Sequence, residues 1–213
     1  MIHYEILDEA RQSVLPHLGP IKDMGFYLAG GTALALQIGH RDSVDFDFFI
    51  DRDFDTGDLY EKLSSFLKDF KIERGHEDEN TLYIEINKSI KCSFITYRYP
   101  LIGQLIDTGT MNLASIEDIG CMKLTTIFAR AKLRDYIDIY YILQKTNLEN
   151  LLNLMNVKIP HVNSALVLRS LVYTDDLETD AIQFKNGFNL DIKDAQKYFV
   201  QVSKEYLKDK AKQ

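Results

Sequence analysis

The sequence predicts a mixed α/β (α+β) fold, a strand-containing core followed by a mostly helical C-terminal half, on three observations. An apolar run, Phe26 to Ala29, stops at Gly30-Gly31 and gives way to an Ala/Leu-rich stretch, which is the order strand, tight turn, helix. The runs TLYIEI and IKCSFITY flank Asn87-Lys88-Ser89 and read as a β-hairpin. Beyond about Asn112 the apolar spacing becomes helical for the rest of the chain.

The elements follow in order. Residues 3 to 18 read as an amphipathic helix, with Ile6, Ala10 and Val14 at helical spacing and Pro16 near its end. Thr32 is placed to cap the short helix ALALQI, which ends at Gly39. VDFDFFI, Val44 to Ile50, reads as a strand with Phe46 and Phe48 on one face and Asp45 and Asp47 on the other. Asp58 opens a helix to about Phe70. With residue 88 at the hairpin tip, Ile86 faces Ile90, Glu85 faces Lys91 and Tyr83 faces Ser93. Ser115 and Asp118 form a capping-box pattern before IEDIGCMKLTTIFARA, and DYIDIYYILQK follows as a second helix. The division drawn from this pattern is a core over 1–110 and a helical region over 111–213 packed against it.

Composition narrows the class. Twelve Phe and twelve Tyr exclude disorder, and two cysteines, Cys92 and Cys121, exclude a disulfide scaffold and read as buried thiols. No apolar run approaches the roughly 18 residues of a membrane span, and MIHYEILDEAR lacks a basic n-region and an apolar h-region, so a cytoplasmic protein without a membrane partner is expected. The net charge of −7 argues against nucleic acid at first sight. Yet the twenty residues from Asp42 to Glu61 carry eight carboxylates and one Arg, so this segment alone sums to −7 and the other 193 residues are neutral. Asp51, Asp53, Asp55 and Gly57 imitate a calcium loop, but an EF-hand wants Gly sixth and Glu twelfth, whereas here Gly is seventh and Lys62 twelfth. An acidic surface loop is the better reading. From Lys185 onward seven Lys stand against four acids.

Two glycines between a strand and a helix let backbone approach a ligand, and the helix start offers free N–H groups to a phosphate. After thirteen intervening residues, Asp45 and Asp47 stand on one strand face, about 6 to 7 Å apart, where they can clamp divalent cations as phosphoryl and nucleotidyl transfer require. Ala29-Gly30-Gly31 with Asp45-Phe46-Asp47-Phe48 resembles the signature of the polymerase-β-like nucleotidyltransferase fold. Within it, LAGGTALALQIGHRDSVDFDFF and the downstream IEDIGCMKLTTIFARAKLRDYIDIYYIL resemble the AbiEii/AbiGii family of nucleotidyltransferase toxins over about residues 24 to 145.

The resemblance implies that Gly30, Gly31 and Ser43 position the phosphates of the NTP donor and that Asp45 and Asp47 ligate Mg²⁺ or Mn²⁺; Thr32 is a further candidate for the donor, and Arg41, like His40, divides between touching phosphate and bracing the loop. The resemblance also implies that Lys123 contacts the triphosphate and that Arg134, Asp135 and Asp138 buttress or complete the site, with Arg134 as the i,i+4 partner of Asp138. The acceptor implied is tRNA or another RNA, and the partner a separately encoded antitoxin. The wider fold draws a third carboxylate from a later strand, where this chain has Ser93; Glu85 is the candidate substitute. His40 divides between touching phosphate and bracing the loop, and the other histidines, 3, 17, 76 and 161, show no metal-ligand spacing. A small-molecule nucleotidyltransferase of the aminoglycoside-modifying type, or a catalytically silent NTP-binding regulator, remains as an alternative.

Overall fold

The computed structural model describes residues 1–178 and 181–212. Seven strands form one mixed sheet in the order β3-β4-β5-β2-β1-β7-β6. They are β1 (Tyr27–Ala29), β2 (Asp45–Ile50), β3 (Ile72–Asp78), β4 (Thr81–Ile86), β5 (Ile90–Thr96), β6 (Ile106–Asp107) and β7 (Asn112–Leu113). Helices α1 (Glu9–Val14), α2 (Gly30–Ile38) and α3 (Thr56–Phe66) belong to the first half. Helices α4 (Ile116–Ala129), α5 (Leu133–Leu143), α6 (Leu148–Lys158), α7 (Ser164–Val172) and α8 (Ile192–Lys210) make up the second.

The alternation in β2 orders the sheet. Phe46 and Phe48 are buried; Phe48 stacks on Phe94 of β5 with ring centroids 5.2 Å apart and on Phe46 at 6.3 Å. Each such ring contributes roughly 1.5–3 kcal/mol of burial, and a slip of one residue would exchange them for Asp45 and Asp47. β2 pairs antiparallel with β1, placing Ala29 opposite Asp47, and parallel with β5, placing Ser93 beside Asp47 and Lys91 beside Asp45. The hairpin register is the expected one: Ile86 opposite Ile90, Glu85 opposite Lys91, Tyr83 opposite Ser93.

Several boundaries differ from expectation. The first helix is broken: Asp8 caps α1, and the chain continues as a 3₁₀ stretch over Leu15–Lys22, because Pro16 and Pro20 lack the N–H that an α-helix needs. Thr32 lies inside α2 rather than at its cap. Helix α3 starts at Thr56 and is capped by Asp55, whose side chain accepts from the Asp58 N–H at 2.7 Å. β3 has no apolar alternation to announce it; its charged sequence IERGHED suits an exposed edge strand.

The sheet runs past residue 110 through β7, and a late segment returns to the core. Asp42 N–H donates to the Gln183 carbonyl at 2.9 Å and Lys185 N–H to the His40 carbonyl at 3.1 Å. Among the described residues no helix is long and apolar enough to cross a membrane.

Candidate active site

The Gly-Gly turn makes room for side chains as well as for a ligand. Gly30 has φ of +68°, and a Cβ there would stand 3.0 Å from Asp47 Oδ2. A Cβ on Gly31 would collide with the Arg41 guanidinium. The Thr32 hydroxyl hydrogen-bonds the Asp45 carbonyl and lies 2.7 Å from Ser43 Oγ, so these two hydroxyls pin α2 to the start of β2. Gly30, Gly31, Thr32, Arg41 and Ser43 all line one cleft with Asp45 and Asp47.

Asp45 is 38% exposed at its side chain, and Asp47 is likewise partly buried. Burial pushes the Asp47 carboxyl above the ordinary carboxylate range and the Asp45 charge adds to this; the Ser93 hydroxyl, donating to Asp47 Oδ1 at 2.6 Å, opposes it. Two oxygen-donor carboxylates with this residual charge fit a hard divalent cation such as Mg²⁺. Glu85 does not complete the set. Lys91 stands between Glu85 and Asp45 in the strand register, and Glu85 does not line the cleft. Among the described residues no group of three or more His, Cys, Asp or Glu is arranged to hold a metal.

Helices α4 and α5 form the opposing wall, with Ile119, Met122, Lys123, Thr126, Arg134 and Asp135 on the cleft. Lys123 is buried, and its ammonium is held at 2.6 Å by both Asp135 and Asp138. Arg41 is committed to Asp138 through two hydrogen bonds of 2.8 Å, so it braces the loop rather than standing ready for a phosphate. His40 Nε2 lies 2.9 Å from Asp138 and its Nδ1 has no partner; burial pushes the imidazole below its usual range and keeps it neutral. Burial alone would raise the Asp138 carboxyl, but the charges of Arg41 and Lys123 and the bonds from His40 and Arg41 hold it well below the ordinary range.

The expected Arg134–Asp138 pair does not form: Arg134 Nη1 instead lies 3.9 Å from Asp45 Oδ2. Arg130 reaches Asp135 at 3.3 Å. Among the described residues, Lys123, Arg41 and Arg130 all pair with Asp135 or Asp138, three cations on two carboxylates. The clamp of His40 and Arg41 on Asp138 was missed in the sequence, where only the adjacent pair His40-Arg41 hinted at it.

The enclosed part of the cleft measures about 190 Å³. That is below the ~300 Å³ floor of small-molecule sites, so it suits the reacting phosphates rather than a whole nucleotide. The acidic segment beyond β2 is accounted for locally. Asp53 pairs with Arg98, Asp55 caps α3 and Asp58 pairs with Lys62 at 2.6 Å, consistent with a surface loop and not a calcium site. Cys92 and Cys121 are buried free thiols; burial pushes the Cys121 thiol up to about 12.

The chain is similar to known proteins in family and in fold. A family model described as the nucleotidyl transferase AbiEii toxin of type IV toxin–antitoxin systems matches residues 20–209, well beyond the 24 to 145 that carried the resemblance. An uncharacterised protein of Aquifex aeolicus is 30% identical over 190 residues, covering 86% of this chain and 89% of that one. The crystal structure of JHP933 from Helicobacter pylori superposes with a TM-score of 0.61 at 20% identity, covering 96% of each chain. MenT4, a nucleotidyltransferase toxin of Mycobacterium tuberculosis, gives 0.55 at 16% identity over 91% of this chain and 82% of its own. These two structures share the fold: a mixed sheet followed by a helical half.

Proposed function

Since the chain belongs to the AbiEii nucleotidyl transferase toxin family of type IV toxin–antitoxin systems, we propose that its cleft transfers a nucleotide from an NTP to a hydroxyl of tRNA or another RNA, using Mg²⁺ or Mn²⁺ held by Asp45 and Asp47. Family membership brings an NTP substrate and an antitoxin with it; the acceptor and the metal are the proposal. The observation that carries it is the opposition, across one cleft, of Asp45 and Asp47 on β2 to Lys123, Arg130 and Arg134 on the helical side.

Each part of the cleft has a task in this reading. The α2 N-terminus beyond Gly30 directs backbone N–H groups at phosphate oxygens. A bound divalent cation would supply neutralisation of triphosphate charge beside Asp45 and Asp47. The acceptor oxygen attacks the α-phosphorus, the bond to the bridging oxygen breaks, and pyrophosphate leaves toward the wall of Lys123, Arg130 and Arg134. Preorganised charge of this kind favours the transition state because it needs no rearrangement during reaction. The hydroxyl proton falls to Asp45 or Asp47, since no third carboxylate joins them among the described residues.

Lys123 in this scheme acts from within its carboxylate cage, contributing to the wall's net charge. Purified protein incubated with Mg²⁺, labelled NTPs and total RNA is expected to incorporate label, and Asp45→Asn to abolish it. Nucleotide binding with neither incorporation nor pyrophosphate release would instead mark a silent NTP-binding regulator.

A further inference from the structure

We propose that Ser93 is a positioning residue standing where a third carboxylate would be, so that Asp45 and Asp47 hold one divalent cation rather than two. The proposal rests on reading that pair as a cation site. Ser93 lies beside Asp47 in the parallel β2–β5 register, is 4% exposed, and donates its hydroxyl to Asp47 Oδ1 at 2.6 Å. On the far side Asp47 Oδ2 is roofed by Gly30, where a Cβ would come within 3.0 Å. The Ser93 hydroxyl thus orients the carboxylate, and glycine at position 30 leaves room for its second oxygen.

Charge then sets the stoichiometry. The two β5 positions next to the pair are Ser93 and Lys91, neutral and positive, and the β1 position opposite Asp47 is Ala29. Among the described residues no third acidic group completes the cluster. Two carboxylates balance one divalent cation, whereas a second dication roughly 3.5–4 Å away would bring two further positive charges without a third carboxylate grouped with the pair among the described residues. An outer-shell hydrogen bond to a ligating group typically changes metal affinity by about 10- to 100-fold, which makes the Ser93 contact measurable.

Mn²⁺ titration of the full chain, followed by electron paramagnetic resonance, tests the proposal. One Mn²⁺ per chain is expected, lost in Asp47→Asn. Ser93→Ala should keep that stoichiometry with affinity lowered about 10-fold or more, at a melting temperature that shows it folded. Ser93→Asp should take up a second Mn²⁺ with the broadened spectrum of a coupled pair. Two ions in the wild-type chain, or a Ser93→Asp variant that stays at one, would overturn the proposal. One Asp47-dependent ion with Ser93→Ala affinity within twofold of wild type would overturn the role of Ser93 and leave the cation site standing. Absence of Asp47-dependent binding would overturn both.

Discussion

Asp45 and Asp47 on the sheet and Asp135 and Asp138 on α5 belong to one site, yet their surroundings are opposite. Asp138 accepts from His40 and Arg41 and is paired with Lys123, while Asp135 is shared by Lys123 and Arg130. The helix pair is neutralised by the protein itself. The sheet pair has one hydroxyl and a 3.9 Å approach from Arg134, and Asp47 is partly buried beside a second negative charge. A carboxylate the chain has satisfied holds structure together, whereas one lining a cleft with few protein partners is stabilised by what it binds.

Breaking the helix pair should have the largest effect on folding. Asp138→Asn leaves Arg41 and Lys123 buried against a weaker acceptor, and a loss of about 3–5 kcal/mol is expected from removing one partner of a buried ion network. Urea denaturation checks it. Breaking the sheet pair should instead fall on chemistry: Asp47→Asn is expected to lower nucleotide transfer by about 10²–10³ while leaving metal-free stability equal to wild type or above it.

Acidity sharpens the contrast. The folded pKa of Asp138 lies well below the ordinary value, so its stabilisation is present above about pH 3.9 and is lost only as pH falls through the lower folded value. Asp47 is raised, so its favourable protonated contribution is complete below about pH 3.9 and fades as pH rises through the folded value. The stability advantage of Asp47→Asn should therefore grow from pH 4 toward pH 7 in melting curves without divalent cations.

Addition of Mg²⁺ at about 100 times its dissociation constant should stabilise the wild-type chain by about 2.7 kcal/mol and leave Asp47→Asn unchanged, as read by thermal melting. The smallest effect is expected at Glu85, which Lys91 separates from Asp45. Glu85→Gln should keep transfer within twofold and stability within about 0.5 kcal/mol.

How much was visible in the sequence follows the range of each interaction. The Asp45-Phe46-Asp47-Phe48 alternation, the hairpin register and the Ser115 cap are settled by neighbours a few residues apart, and all three stand in the structure. Edge strand β3 was hidden because its exposed, charged face carries no apolar period. The Arg41–Asp138 clamp joins residues 97 apart and the Ser93–Asp47 bond residues 46 apart. Neither could be read before the topology was known. Local helix spacing instead pointed to an Arg134–Asp138 pair, which lost to a bidentate, buried guanidinium from the opposite side.

The most direct test compares Asp47→Asn and Asp138→Asn side by side, measuring melting in metal-free buffer and nucleotide transfer in Mg²⁺ on the same preparations. The account predicts an Asp47→Asn chain that melts at or above wild type and transfers about 10²–10³ more slowly, and an Asp138→Asn chain that melts well below it. An Asp47→Asn chain destabilised as much as Asp138→Asn, or one that transfers at the wild-type rate, would contradict the division between a site left for a ligand and a network closed by the protein.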